Sequence, residues 1–223
     1  LPPALTAATG ADALTHAVEA YTNTLHYSDV DAQAIEAVRL VFANLPKACA
    51  QGSDIGAREA MLRASHLAGR AFTRGFVGYV HAVAHRFGER YHVPHGLANA
   101  IVLPYFLDRY IEACPERLAD LYRAANLHSS TPVTGVAPGA ASAGAQTEAR
   151  ATALAEARGF VEGVKSLFAS VGLPPKAQFL QRSDIPGIAA DALKEAHGTP
   201  YPVPLVMNAP ELSALIETMA PDT

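Results

Sequence analysis

Apolar residues along this chain recur at the three-to-four spacing of a helix, and no stretch alternates as a half-buried strand does. That pattern restricts the fold to helices packed on helices, because a helix with one apolar stripe must bury it against another element. From Asp12 to Tyr21, the residues Leu14, Ala17, Val18 and Tyr21 fall on one side. Ser28 and Asp29 are residue types that cap helices, and they predict a long helix through about Ala48. A third helix is expected from Ser53 or Asp54 to about Phe72, after which Gly75 and Gly78 interrupt. A fourth covers Tyr79 to Tyr91 and is broken by Pro94; the next begins at His95 and runs toward Tyr110. Cys114-Pro115 opens another, to about Leu127, with proline in a favoured first-turn position. Helical patterning returns from about Glu148 to Val171, and two shorter helices are expected at Ser183–Ala196 and Pro210–Met219. The stretch 129–147, SSTPVTGVAPGAASAGAQT, has small residues, proline and glycine but no charge or period, and reads as a flexible loop. The expected class is all-α, a bundle of about seven to nine helices in a single domain.

A chain of 223 residues can enclose one sizeable core. With 50% hydrophobic and 17% charged residues, the composition is that of a soluble globular protein. A net charge of −4 gives no reason to expect nucleic acid as a partner. No apolar run approaches the roughly 20 residues that span a membrane. The opening LPPALTAATG has neither a basic nor an apolar leader region, so no signal peptide is expected. Cys49 and Cys114 are too few and too far apart for a disulfide framework, which makes a reduced, cytoplasmic compartment the expectation. Neither G-x-G-x-x-G nor G-x-x-x-x-G-K-[ST] occurs, so the chain carries no recognisable dinucleotide or nucleotide loop of its own.

The chemistry lies in the placement of histidines. Four of the nine stand between positions 81 and 95, in GYVHAVAHRFGERYHVPHG. His81 and His85 are spaced i, i+4 and face one side of a helix; Asp12 and His16 have the same spacing. Two helices can therefore each offer a pair of metal-capable side chains to one point in a bundle core. His95, after Pro94 at a helix start, is a rigid location for a further ligand. Imidazole and carboxylate without thiolate suit Zn²⁺, Fe²⁺, Mn²⁺, Co²⁺ or Ni²⁺. Spacing alone offers His81 and His85 equally. Ordinary readings stand beside this one: an i, i+4 histidine pair can be a surface accident, and Asp12 can be a first-turn aspartate favoured by the helix dipole. Glu19 could orient a ligand but reads as solvent-facing. His26, His66, His92, His128 and His197 read as surface or packing residues.

The strings GADALTHAVEAY and GYVHAVAHRFGERYHVPHGLANAIVLP resemble the two signature segments of iron-containing (group III) alcohol dehydrogenases. The second resembles G-x-x-H-x-x-A-H-x-x-G-x-x-x-x-x-P-H-G-x-x-N-A, supplied here by Gly78, His81, Ala84, His85, Gly88, Pro94, His95, Gly96, Asn99 and Ala100. The opening LPPALTAATGADALTHA is similar to the family's hinge into its C-terminal helical domain. A similar domain ends the bifunctional aldehyde-alcohol dehydrogenases. The resemblance covers Leu1 to about Leu127 and is thinner from Glu148 onward. It implies a dehydroquinate synthase-like C-terminal helical domain with a divalent metal, Fe²⁺ or Zn²⁺, bound by Asp12, His16, His81 and His95. It implies that His85 is not a ligand but a proton relay near nicotinamide and substrate, and that Phe72 lines the substrate pocket. The chain departs from the family in two places: Thr73-Arg74 follow Phe72 where the family often has a small polar residue and then asparagine, and Val203 stands roughly where a basic residue is common.

The resemblance also implies a partner. Family members bind NAD(P) on an N-terminal α/β domain with a glycine-rich loop, and nothing here is similar to that loop. The expectation is thus the metal- and substrate-binding half of an NAD(P)-dependent enzyme that interconverts small alcohols and aldehydes or ketones, homo-oligomeric at full length. The alternatives are a non-enzymatic metal-binding helical module and a metal-dependent lyase of the dehydroquinate-synthase type. The lyase would need lysine and arginine to hold a phosphate, and the site segments carry few.

Overall fold

A computed structural model describes residues 1–127 and 143–221. Those residues form nine α-helices and one short 3-10 turn, with no strand among them. The expected all-α class holds.

Helix α1 runs from Pro3 to Thr22 and starts earlier than the sequence pattern predicts. Pro3 occupies the first turn, where a missing N–H costs nothing. At the other end the Asn23 side chain donates to the carbonyls of Ala20 and Gly75, satisfying groups that a helix terminus leaves open. Nearly every side of α1 is buried, and its alanines (Ala7, Ala11, Ala17, Ala20) let neighbouring backbones come close. It packs against α2 (Ser28–Ala50), α3 (Ile55–Gly75) and α5 (His95–Tyr110). Helix α4 (Tyr79–Tyr91) lies on α5, and α8 (Ile185–Gly198) covers α4. Helix α6 (Pro115–Ala124) packs on α7 (Ala143–Ser170), and α9 (Ala209–Glu217) on α8. A continuous set of buried apolar side chains runs through all of them, with Leu14, Phe87, Phe106, Phe160 and Tyr110 among the largest.

Local chemistry accounts for several boundaries. Asp54 caps α3 by accepting from the Ala57 N–H at 2.8 Å. Asn208 and Glu211 form a reciprocal capping box on α9. His92 ends α4 in the left-handed region (φ 55°), its N–H returning to the Gly88 carbonyl. Two expectations need correction. Ser28 is the first residue of α2 and Tyr27 precedes it without a side-chain cap; Asp29 instead pairs with Arg74. Of the stretch read as a loop, 129–142 lies outside the described residues, but Ala143–Thr147 is helical. Alanine and glutamine are strong helix formers, and they extend α7 back past Gly144. No helix among the described residues is long and apolar enough to cross a membrane.

Candidate metal centre

Helix α1 presents Asp12, His16 and Glu19 along one stripe, because positions i, i+4 and i+7 share a face. Helix α4 brings His81 to that stripe, and the first residue of α5 is His95. One donor atom from each of Asp12, His16, His81 and His95 lies within 4.8 Å of every other. Asp12 Oδ1 is 3.2 Å from His95 Nε2 and 3.8 Å from His81 Nε2, while Asp12 Oδ2 is 3.8 Å from His16 Nδ1. Neighbouring donors around an ion with bonds of ~2.1 Å sit about 3–3.5 Å apart, so the shortest of these separations already fits and the widest must close by about 1 Å.

The polar atoms say what such a group would meet. His81 is 2% exposed, and its Nε2 is buried without a hydrogen-bond partner. Its Nδ1 is 2.5 Å from Glu19 Oε2. A carboxylate accepts, so Nδ1 carries the proton and the Nε2 lone pair is left facing Asp12. An orphaned buried acceptor beside a carboxylate and two further imidazoles fits a divalent cation. Burial pushes the His16 imidazole down to about 4, with His81 beside it acting the same way. Burial tends to raise the Asp12 carboxyl, but the hydrogen bond with His95 and the charges of His16 and His95 outweigh it and hold it below the usual range. The hydrogen bond to Asp12 holds His95 above the ordinary imidazole value. Asn99 donates to Asp12 Oδ1 at 2.7 Å and fixes the carboxylate.

Phe72, on α3, stacks on His16 with ring centroids 4.3 Å apart. His85 sits one turn beyond His81 and faces α8, where its Nδ1 is 2.8 Å from Glu195 Oε1. Its ring stacks on His95 at 5.3 Å. Arg74, next but one to Phe72, turns away from the cluster: it pairs with Asp29 and lies over the Tyr27 ring. Val203 fills space beside Gly78 at the edge of the core. Of the remaining histidines, His26, His66 and His92 are exposed, His197 bonds Tyr79, and His128 lies outside the described residues. A 460 Å³ apolar cavity lined by Pro104, Tyr105, Phe168 and Leu173 includes none of the four donors.

Sequence reading placed Glu19 in solvent, and the structure corrects this: it is 5% exposed and bound to both His81 and the Val80 N–H. Its spacing of three from His16 was the signal that it shares the buried stripe. Glu195 and Tyr201, which joins Glu195 at 3.1 Å, carry no such signal.

Gly96 is what allows His95 to reach Asp12. A Cβ there would lie 2.2 Å from the Ala8 carbonyl oxygen and 3.3 Å from the Asp12 Cβ. Both neighbours belong to the α1 backbone or its root and cannot swing aside. Gly96→Ala is expected to push the start of α5 off α1 and lower stability by about 1–3 kcal/mol. Denaturant unfolding of the metal-free protein checks this; an unchanged midpoint would show that α5 does not press on α1 there.

Comparison with known proteins supplies the lineage. The description "Fe-containing alcohol dehydrogenase family, C-terminal" matches residues 6–219. The 1,3-propanediol dehydrogenase of Klebsiella pneumoniae is 39% identical over 216 residues, which are 96% of this chain and 50% of that protein. Alcohol dehydrogenase 4 of Saccharomyces cerevisiae is 47% identical over 116 residues, 52% of this chain and 30% of that protein. A crystal structure of 1,3-propanediol oxidoreductase superposes with a TM-score of 0.83 at 36% identity, over 98% of this chain and 52% of that one. An alcohol dehydrogenase from Oenococcus oeni gives 0.82 at 32% identity, over 98% and 52%. The chain spans about half the length of the relatives that match nearly all of it. Its sequence, its helical architecture and the family match from Thr6 to Met219 agree, and the chain belongs to the Fe-containing alcohol dehydrogenase family.

Proposed function

We propose that Asp12, His16, His81 and His95 hold a divalent metal, Fe²⁺ or Zn²⁺, and that this chain is the metal- and substrate-binding half of an NAD(P)-dependent alcohol dehydrogenase. The enzyme would interconvert small alcohols and aldehydes or ketones by hydride transfer. The observation that carries the reading is the convergence of four donors from three helices on one point, with the His81 Nε2 lone pair unpartnered.

A divalent ion there supplies a Lewis acid that lowers the pKa of an alcohol hydroxyl and polarises a carbonyl, while hydride acceptance is nicotinamide chemistry. The chain's own residues do the rest. Asn99 holds the Asp12 carboxylate in place, and Glu19 holds the His81 ring. Phe72 packs its ring on His16 and gives the carbon skeleton of the substrate an apolar wall. His85 donates Nδ1–H to Glu195, which leaves Nε2 free to accept the proton that an alcohol releases. NAD(P) would be held by an N-terminal α/β domain, a proposal supported by relatives about twice this length. A homo-oligomer at full length and a cytoplasmic setting belong to the same proposal; the unpaired Cys49 and Cys114 support the latter.

The test is oxidation of 1,3-propanediol and other small alcohols by the full-length protein, with NAD⁺ and NADP⁺ in turn. Activity should disappear with a chelator and return with Fe²⁺ or Zn²⁺. A protein that binds metal stoichiometrically yet reduces neither cofactor with any small alcohol would instead be a metal-binding module.

A further inference from the structure

We infer that Glu19 is a positioning residue: acting through His81, it selects which imidazole nitrogen faces the metal centre. This rests on the proposed metal centre. Glu19 reaches from α1 to the start of α4 and makes two bonds there. Oε1 accepts from the Val80 N–H at 2.8 Å, one of the donors that a helix N-terminus leaves open. Oε2 meets His81 Nδ1 at 2.5 Å. The room for this is made by Gly78, where a Cβ would lie 2.8 Å from Glu19 Oε1. Glu19 and His81 are almost wholly shielded, with side chains 3% and 2% exposed. Water therefore does not compete for the Nδ1 proton, and a carboxylate can only accept it. The result is a single tautomer with the bare Nε2 directed at Asp12, 3.8 Å away. A ligand histidine whose other nitrogen is held this way is both oriented and made more basic.

A simpler role must be told apart from this one: Glu19 could do no more than cap α4. Glu19→Gln separates the two. The glutamine carbonyl can keep the Val80 N–H, so the cap survives. Its amide then points N–H at His81 Nδ1, which must accept, and the ring proton moves to Nε2, where it blocks metal binding. The expected result is a folded E19Q protein that binds Co²⁺ about 10–100-fold more weakly than wild type. Nitrogen NMR of the metal-free proteins should show His81 protonated at Nδ1 in wild type and at Nε2 in E19Q. Equal Co²⁺ affinity in the two proteins would overturn the inference and leave Glu19 a cap. If E19Q does not fold, the wild-type spectrum decides: His81 protonated at Nε2 refutes the inference, and at Nδ1 supports it. A wild-type protein that binds no Co²⁺ would bring down the metal centre itself, and this inference with it.

Discussion

His16→Ala, His81→Ala and His95→Ala should each leave the protein without a stoichiometric divalent ion, and alcohol oxidation by the full-length enzyme should fall about a thousandfold or more. The size follows from the chemistry being removed. Lewis-acid stabilisation of a developing oxygen charge is worth several kcal/mol, and each 1.36 kcal/mol is about a factor of ten. The three variants should differ in stability, because their surroundings differ. His81→Ala leaves the Glu19 carboxylate buried with one acceptor unfilled, at a cost of about 1–3 kcal/mol to the fold. His16→Ala removes a ring that stacks on Phe72 and packs at a tilt against His81. His95 is the most open of the three, with its side chain 44% exposed, so its loss should cost metal and little else. Metal-to-protein ratios and melting curves of the purified variants check both parts. A His81→Ala protein that keeps its metal while His85→Ala loses it would mean that the two α4 histidines have been assigned the wrong way round.

That pair also marks where sequence reading stopped. The limits of α4 and α5 were legible because Gly78 and Pro94 punctuate them, and the structure places them at Tyr79–Tyr91 and His95–Tyr110. Helical spacing put Asp12 and His16 on one face, and the structure finds both in the cluster. Spacing could not choose between His81 and His85, since i and i+4 are equivalent on an isolated helix. What separates them is tertiary: Glu19 on α1 takes one ring and Glu195 on α8, 110 residues along the chain, takes the other. The family resemblance implies His81 as the ligand; His81 is 2% exposed, and the His85 side chain is 37% exposed. Glu19 is hard to place from sequence because a glutamate on a helix is usually solvated, although its register with Asp12 and His16 puts it on the buried stripe. The start of α7 is illegible for the converse reason. Gly144 and the prolines before it point to a loop, although Ala145 and Gln146 beyond them are helix-forming residues.

His85→Ala should keep its metal and its fold but lose turnover by about 10²–10⁴-fold, the usual contribution of a positioned proton acceptor. The fold should survive because Glu195 is not stranded: Tyr201 still donates to Oε1 and Arg86 to Oε2. Those same contacts show why the proton cannot simply pass along the chain of bonds. Burial and the neighbouring Glu195 push Tyr201 up to about 12, so its hydroxyl stays protonated and acts as a donor to the carboxylate. The His85 Nδ1 proton is likewise held by Glu195, and the ring can gain a proton only at Nε2. With its side chain 37% exposed, His85 can then hand that proton to water. Binding of the alcohol should change little, since the ring is assigned no part in holding it, so the loss should appear in kcat rather than KM. Added imidazole, small enough to enter the space the ring vacates, should restore part of the rate to His85→Ala and none to His81→Ala. A His85→Ala enzyme with wild-type kcat would assign proton release to another group and reduce His85 to a ring packed on His95.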